Sequence, residues 1–101
     1  MAIHRVRKGG VMVDEKFKEI QEELSSANDE ALLADGFEDA LVGYVQIFNR
    51  TIALYDRKKC IEILMKRDGM GREGAEEYFE FNVIGAYMGE NTPGYATILR
   101  K

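Results

Sequence analysis

The sequence predicts an α+β fold: a small antiparallel sheet, formed by a hairpin and a C-terminal strand, with helices packed on one face. Three observations carry this. Residues 40–55, ALVGYVQIFNRTIALY, are rich in β-branched and aromatic residues and broken by one polar pair, the pattern of a hairpin. At Asp56 the apolar period changes from strand-like to helical. From Glu77 to Leu99 the chain reads EYFEFNVIGAYMGENTPGYATIL, an amphipathic helix that turns apolar on every side, a Gly-Glu-Asn-Thr-Pro-Gly turn, and a short strand. A helix apolar all round must be covered all round, by a central position in the fold or by a second copy of the chain.

Residues 1–12 read as a basic N-terminal arm and residues 13–101 as a single α+β domain. Gly9-Gly10 breaks any regular element in the arm, and Val11-Met12-Val13 reads as a short strand or a hydrophobic lead-in. Asp14 is placed to cap a helix from Glu15 to about Ser25, whose stripe is Phe17, Ile20 and Leu24. That stripe is narrow, which places the helix at the surface. Residues 29–39 are ambiguous between a helical turn and a strand at Ala31–Ala34, with a turn at Asp35-Gly36.

In the hairpin, Asn49-Arg50 is the reversal, and Gly43 marks a bulge or a close backbone approach. Asp56 caps a helix over 57–68 with Cys60, Ile61, Leu64 and Met65 inward, and Gly69 closes it. Lys66 and Arg67 sit in its last turn, where the helix dipole favours cations. A further helix spans 72–89, with acids in its first half and two apolar stripes. One stripe is Ala75, Phe79, Val83 and Ala86; the other is Tyr78, Phe81, Gly85 and Met88. The expected core is Leu54, Ile61, Leu64, Phe79 and Val83.

At 46% hydrophobic and 32% charged, the composition is that of a globular domain rather than a disordered chain. No window approaches the roughly 18 apolar residues of a membrane span. No apolar run of signal-peptide length follows the basic start MAIHRVRKGG, which points to a cytoplasmic setting and no membrane partner. One cysteine, Cys60, excludes an intrachain disulfide and fits a reducing compartment.

The net charge of −4 is segregated along the chain. Residues 14–39 hold ten acids against Lys16 and Lys18, while residues 50–72 hold seven bases against three acids. Residues 73–90 hold five acids and no base. Such alternation makes solvated faces that attract each other within a fold, or an acidic face offered to a basic partner. Lys58, Lys59, Lys66, Arg67 and Arg72 form a basic set, but an acidic chain is a poor nonspecific binder of nucleic acid.

Candidate chemistry is sparse. The two ends of the hairpin bring Asp39 towards Asp56, and paired carboxylates hold a divalent cation or share a proton. Asp56 as a cap and Asp35 and Asp39 as turn residues explain the same acids structurally. Asn82 lies between the two apolar stripes and is expected to be buried and hydrogen-bonded, as a structural tie, a ligand contact or a register-setting interface residue. Lys58, Lys59 and a helix N-terminus beside Cys60 would lower a thiol pKa, while its inward position reads as a small core residue. One histidine, His4, and one cysteine cannot build a structural zinc site. No Walker A loop, GxGxxG or nucleophile elbow is present, and the glycines of Asp68–Gly74 follow a helix rather than a strand. No catalytic residue, metal site or cofactor is expected.

From Ala31 to about Leu99 the chain resembles a small uncharacterised protein family of bacteriophages and prokaryotes. The segments that carry the resemblance are ALLADGFEDALVG (31–43), ALYDRKKCIEILMKRDGM (53–70) and EYFEFNVIGAYMGENTP (77–93). The resemblance implies a phage or microbial source. It implies no activity, because the family has none established.

Two functions stand open at this stage. One is a non-enzymatic phage-type accessory protein that binds a host or phage protein partner and forms a homodimer, with Tyr78, Phe81, Ile84, Tyr87 and Met88 at the interface. The other is a small-ligand or nucleotide-binding module with a site near Asp35, Asp39, Asp56 and Asn82. A metal-dependent enzyme using those carboxylates ranks behind both.

Overall fold

The computed structural model describes residues 3–6 and 15–99. Asp14, the Gly9-Gly10 pair and the stretch Val11-Met12-Val13 lie outside them. The chain is an α+β fold built on two small sheets. Strand β1 (Ile3–Arg5) pairs antiparallel with β2 (Leu32–Ala34). Between them runs α1 (Glu15–Ala27), and a 3₁₀ turn, Glu38–Ala40, leads into the second sheet. That sheet is β3 (Leu41–Ile47), β4 (Arg50–Asp56) and β5 (Gly94–Ala96), with β4 in the middle.

The hairpin β3–β4 forms as its residues predict, and a shift in register between Leu41 and Gly43 places the bulge where the glycine stands. The reversal falls one residue early, at Phe48-Asn49. The sheet is mixed rather than antiparallel, because β5 runs parallel to β4, with Leu54 opposite Gly94 and Asp56 opposite Ala96. The reason lies in the loop before β5. Arg50 donates to the Asn91 side-chain oxygen at 3.3 Å, so the chain returns to the entrance of β4 before the last strand begins.

Helix α2 (Arg57–Asp68) is bounded as the sequence indicates. Asp56 Oδ1 accepts from the amides of Lys58 and Lys59 at 3.0 and 3.3 Å, satisfying two of the free donors of the first turn. Gly69 closes it in the left-handed conformation, φ 68°. Helix α3 (Arg72–Tyr78) is shorter than the expected 72–89. It widens into a π-helical segment, Phe79–Ile84, and ends at Gly85. A Cβ on Gly85 would stand 2.5 Å from the Phe81 carbonyl oxygen, so only glycine accommodates this exit.

The core gathers Leu24, Leu33, Phe37, Tyr55, Cys60, Ile61, Leu64, Ala75, Phe79 and Val83. Val6, just past β1, is buried with them, so residues 3–6 belong to the fold. Tyr55 stacks on Tyr95 with ring centroids 5.5 Å apart, and Phe79 meets Tyr95 edge-on at 5.3 Å. The Tyr55 hydroxyl accepts from the Ala34 amide at 2.9 Å and joins the two sheets. Four of the five expected core residues are buried. Leu54 is only half-buried and stands outside the core cluster, because alternation along β4 turns Ala53 and Tyr55 inward and Leu54 away.

Candidate functional site

Two regions carry the residues singled out by the sequence. The first is a hollow where α1, the 3₁₀ turn and the start of α2 converge. It is a pocket of about 220 Å³ that Lys16, Glu38, Asp39, Asp56 and Lys59 line together with apolar residues of α1 and β3. The hairpin therefore does bring Asp39 and Asp56 to one place. Asp35 and Asn82 do not line it.

The chemistry available there is modest. Asp56 is buried, and one of its carboxylate oxygens is held by the two amides of the cap. Glu38 accepts from the Gly36 amide at 3.1 Å, a local turn contact. Lys16 and Lys59 share the lining with the acids. No group of three potential ligands close enough to hold a metal ion exists among the described residues. Cys60 is fully buried behind the cap, and burial, with the Asp56 charge behind it, pushes its thiol up to about 12. The protonated thiol is no nucleophile at neutral pH. The helix N-terminus and neighbouring lysines are outweighed by desolvation, because Lys58 and Lys59 point into solvent.

Asn82, expected to be buried, is exposed. The inward face of this helix belongs to Ala75, Phe79 and Val83, and Asn82 stands off that line. It needs no internal hydrogen-bond partner there, and the grounds for a register-setting amide go with its burial.

The second region is the helix exit. The expectation that residues 81–88 are covered on all sides fails within one chain. Phe81 is 81% exposed, Tyr87 72%, Met88 63% and Ile84 42%. Tyr78 differs from them, being half-buried against the core. The loop that follows is held in place. The Met88 amide donates to Thr92 Oγ1 at 2.8 Å, the Thr92 hydroxyl donates to the Gly89 carbonyl at 2.7 Å, and Gly89 takes φ 100°. Glu90 pairs with Arg50 at 2.9 Å, and on the helix itself Glu80 pairs with Arg57 at 2.6 Å. Four large apolar side chains thus stand exposed on one short, tied segment. No helix among the described residues is long and apolar enough to cross a membrane.

Arg57 and Arg67, two members of the basic stretch, are engaged inside the fold. Arg57 lies over the Phe79 ring, and Arg67 lies over Phe37 and donates to the Gly36 carbonyl at 2.9 Å. Their charge serves packing, which leaves less of it to face a polyanion.

No family model matches the chain, and comparison with curated proteins and with solved structures finds no match.

Proposed function

We propose that the chain is a non-enzymatic protein-binding module that works as a homodimer and engages a protein partner through its helix exit. The observation that carries the reading is the exposure of Phe81, Ile84, Tyr87 and Met88 on a segment fixed by its own hydrogen bonds. Aromatic residues and methionine are the types that interfaces favour, and a tied segment loses little freedom on binding. The exposed acid Glu77, one helical turn before Phe81, borders the surface and favours a basic rim on the partner. The family resemblance extends the proposal to a phage or microbial setting, with a host or phage protein as partner and the cytoplasm as its place of action.

A photo-reactive phenylalanine analogue in place of Tyr87, expressed in a bacterial cell, tests this. The same analogue in place of the exposed Glu73 serves as control. The reading expects a protein adduct from position 87 and little from position 73. Equal or absent labelling at both positions would show that the helix exit meets no protein.

The second reading, a small-ligand module, is favoured by the one pocket that Asp39 and Asp56 share. Nucleotides or divalent ions that raise the melting temperature of the wild type but not of Asp39→Asn would promote it.

A further inference from the structure

Strand β4 is apolar on both faces; one faces the core cluster, and on the other Ile52 is buried outside that cluster. Ala53 and Tyr55 point into the core; Arg50, Ile52 and Leu54 point the other way. Register places Val45 opposite Ile52 and Ile47 opposite Arg50 on this second face. Gly94, opposite Leu54, contributes no side chain; a Cβ there would lie 3.6 Å from Ile52 Cδ1 and 3.7 Å from Leu54 Cδ1. None of Val45, Ile47, Ile52 and Leu54 packs into the core cluster.

This face ends at the hairpin turn, where Phe48 adopts φ 61°. A bulky residue is strained in that conformation, and glycine is the residue that tight hairpin turns prefer there. Phe48 is also 97% exposed, so among the described residues no side-chain packing offsets the strain; the turn is held by the Gln46 side-chain amide, which donates to the Phe48 carbonyl at 3.1 Å. Beside the ring lies a groove of about 200 Å³ whose walls include Ile47, Ile52, Arg50 and Glu90. An apolar cavity of about 150 Å³ holds a benzene molecule, so the groove admits one phenyl ring. The Arg50 guanidinium is fixed by Glu90 and Asn91, which prepares it to meet an aromatic face.

We propose that this end of the sheet is the contact between two copies of the chain, each placing Phe48 in the other's groove beside Arg50 and Ile52. The inference rests on the homodimer reading above and moves the dimer contact from the helix exit to the hairpin, leaving the helix exit for another protein. A second copy is the occupant that fits. Ring and groove adjoin on one turn, so a single two-fold axis seats both rings at once. Glu90 neutralises Arg50, so two like faces meet without repulsion. A stable interface buries about 800 Å² on each partner, more than one ring supplies, and exposed Ile47, with half-buried Val45 and Leu54, adjoins the contact to extend it.

Sedimentation velocity of the full chain at micromolar concentration, with three variants, tests the inference. Phe48 makes no core contact and glycine suits φ 61°, so Phe48→Gly keeps its circular dichroism spectrum. Its dimer dissociation constant rises roughly tenfold or more, as on removal of a central aromatic anchor. Phe48→Trp stays dimeric, and so does Tyr87→Ser. If Phe48→Gly dimerises as tightly as the wild type while Tyr87→Ser does not, the homodimer reading survives and the hairpin contact is overturned. If the wild type is monomeric at every concentration, both fail.

Discussion

Replacing Phe79 by alanine probes the centre of the fold. The side chain is fully buried, its ring meets Tyr95 edge-on at 5.3 Å, and the Arg57 guanidinium carbon lies 5.3 Å above it. Truncating a buried phenylalanine costs about 3–5 kcal/mol, from lost transfer energy and the cavity left behind. The edge-on pair, worth about 0.5–1.5 kcal/mol beyond its area, puts this site in the upper part of that range. Domains of this size hold a total of about 5–15 kcal/mol, so Phe79→Ala should forfeit a large share of it. At about 4–8 °C per kcal/mol, its melting point should fall by about 15 °C or more. Phe79→Leu fills most of the space and should cost about 1–1.5 kcal/mol, separating ring contacts from volume. Urea unfolding followed by circular dichroism, at one fixed protein concentration, reads both values. A loss below about 1 kcal/mol for Phe79→Ala would show that the other stripe of this helix is the core.

Three further outcomes follow from the same contacts. Gly85→Ala should destabilise by about 1–3 kcal/mol, because its Cβ meets the Phe81 carbonyl oxygen; an unchanged urea midpoint would mean the helix exit relaxes freely. The Cys60 thiol titrates near 12 when folded against an ordinary 9.0, so the native state holds its proton longer and stability should fall as pH climbs through that interval. Below 9.0 the contribution is fully present; Cys60→Ala should flatten the slope, and an equally steep decline in that variant would assign the loss elsewhere. Asp56→Ala removes the cap of α2 and should cost about 0.5–2 kcal/mol, whereas Mg²⁺ or Mn²⁺ should leave the wild-type melting temperature unchanged; stabilisation by either ion that Asp56→Asn abolishes would point to a metal site instead.

What was legible in the sequence was local. Helix α2 carries its own boundaries, a capping aspartate and a closing glycine, and both act as the residue types predict. The hairpin and its bulge follow from β-branched content and one glycine. What escaped depends on pairing at long range or on backbone detail. Strand β1 is three residues long and finds its partner about 29 positions away, beyond any periodicity. The parallel course of β5 goes with the docking of the Asn91 loop on Asn28, Leu32 and Arg50, segments far apart in the chain. The π-helical widening at Phe79–Ile84 leaves no mark in an apolar pattern read at 3.6 residues per turn, and with it the expectation for Asn82 failed. Phe48 could have been noticed as a bulky residue where a hairpin turn normally takes glycine or asparagine. Of the four acidic and amide residues proposed as a ligand site, only Asp39 and Asp56 share a pocket, the pair that the hairpin itself joins.

The central claim is that the apolar surface left open by one chain exists for association with protein, beginning with a second copy. Sedimentation equilibrium of the wild type at micromolar concentration tests it most directly. The account predicts a mass twice the chain's 11.5 kDa, falling towards the single-chain value only on dilution. A single-chain mass at every concentration would contradict it.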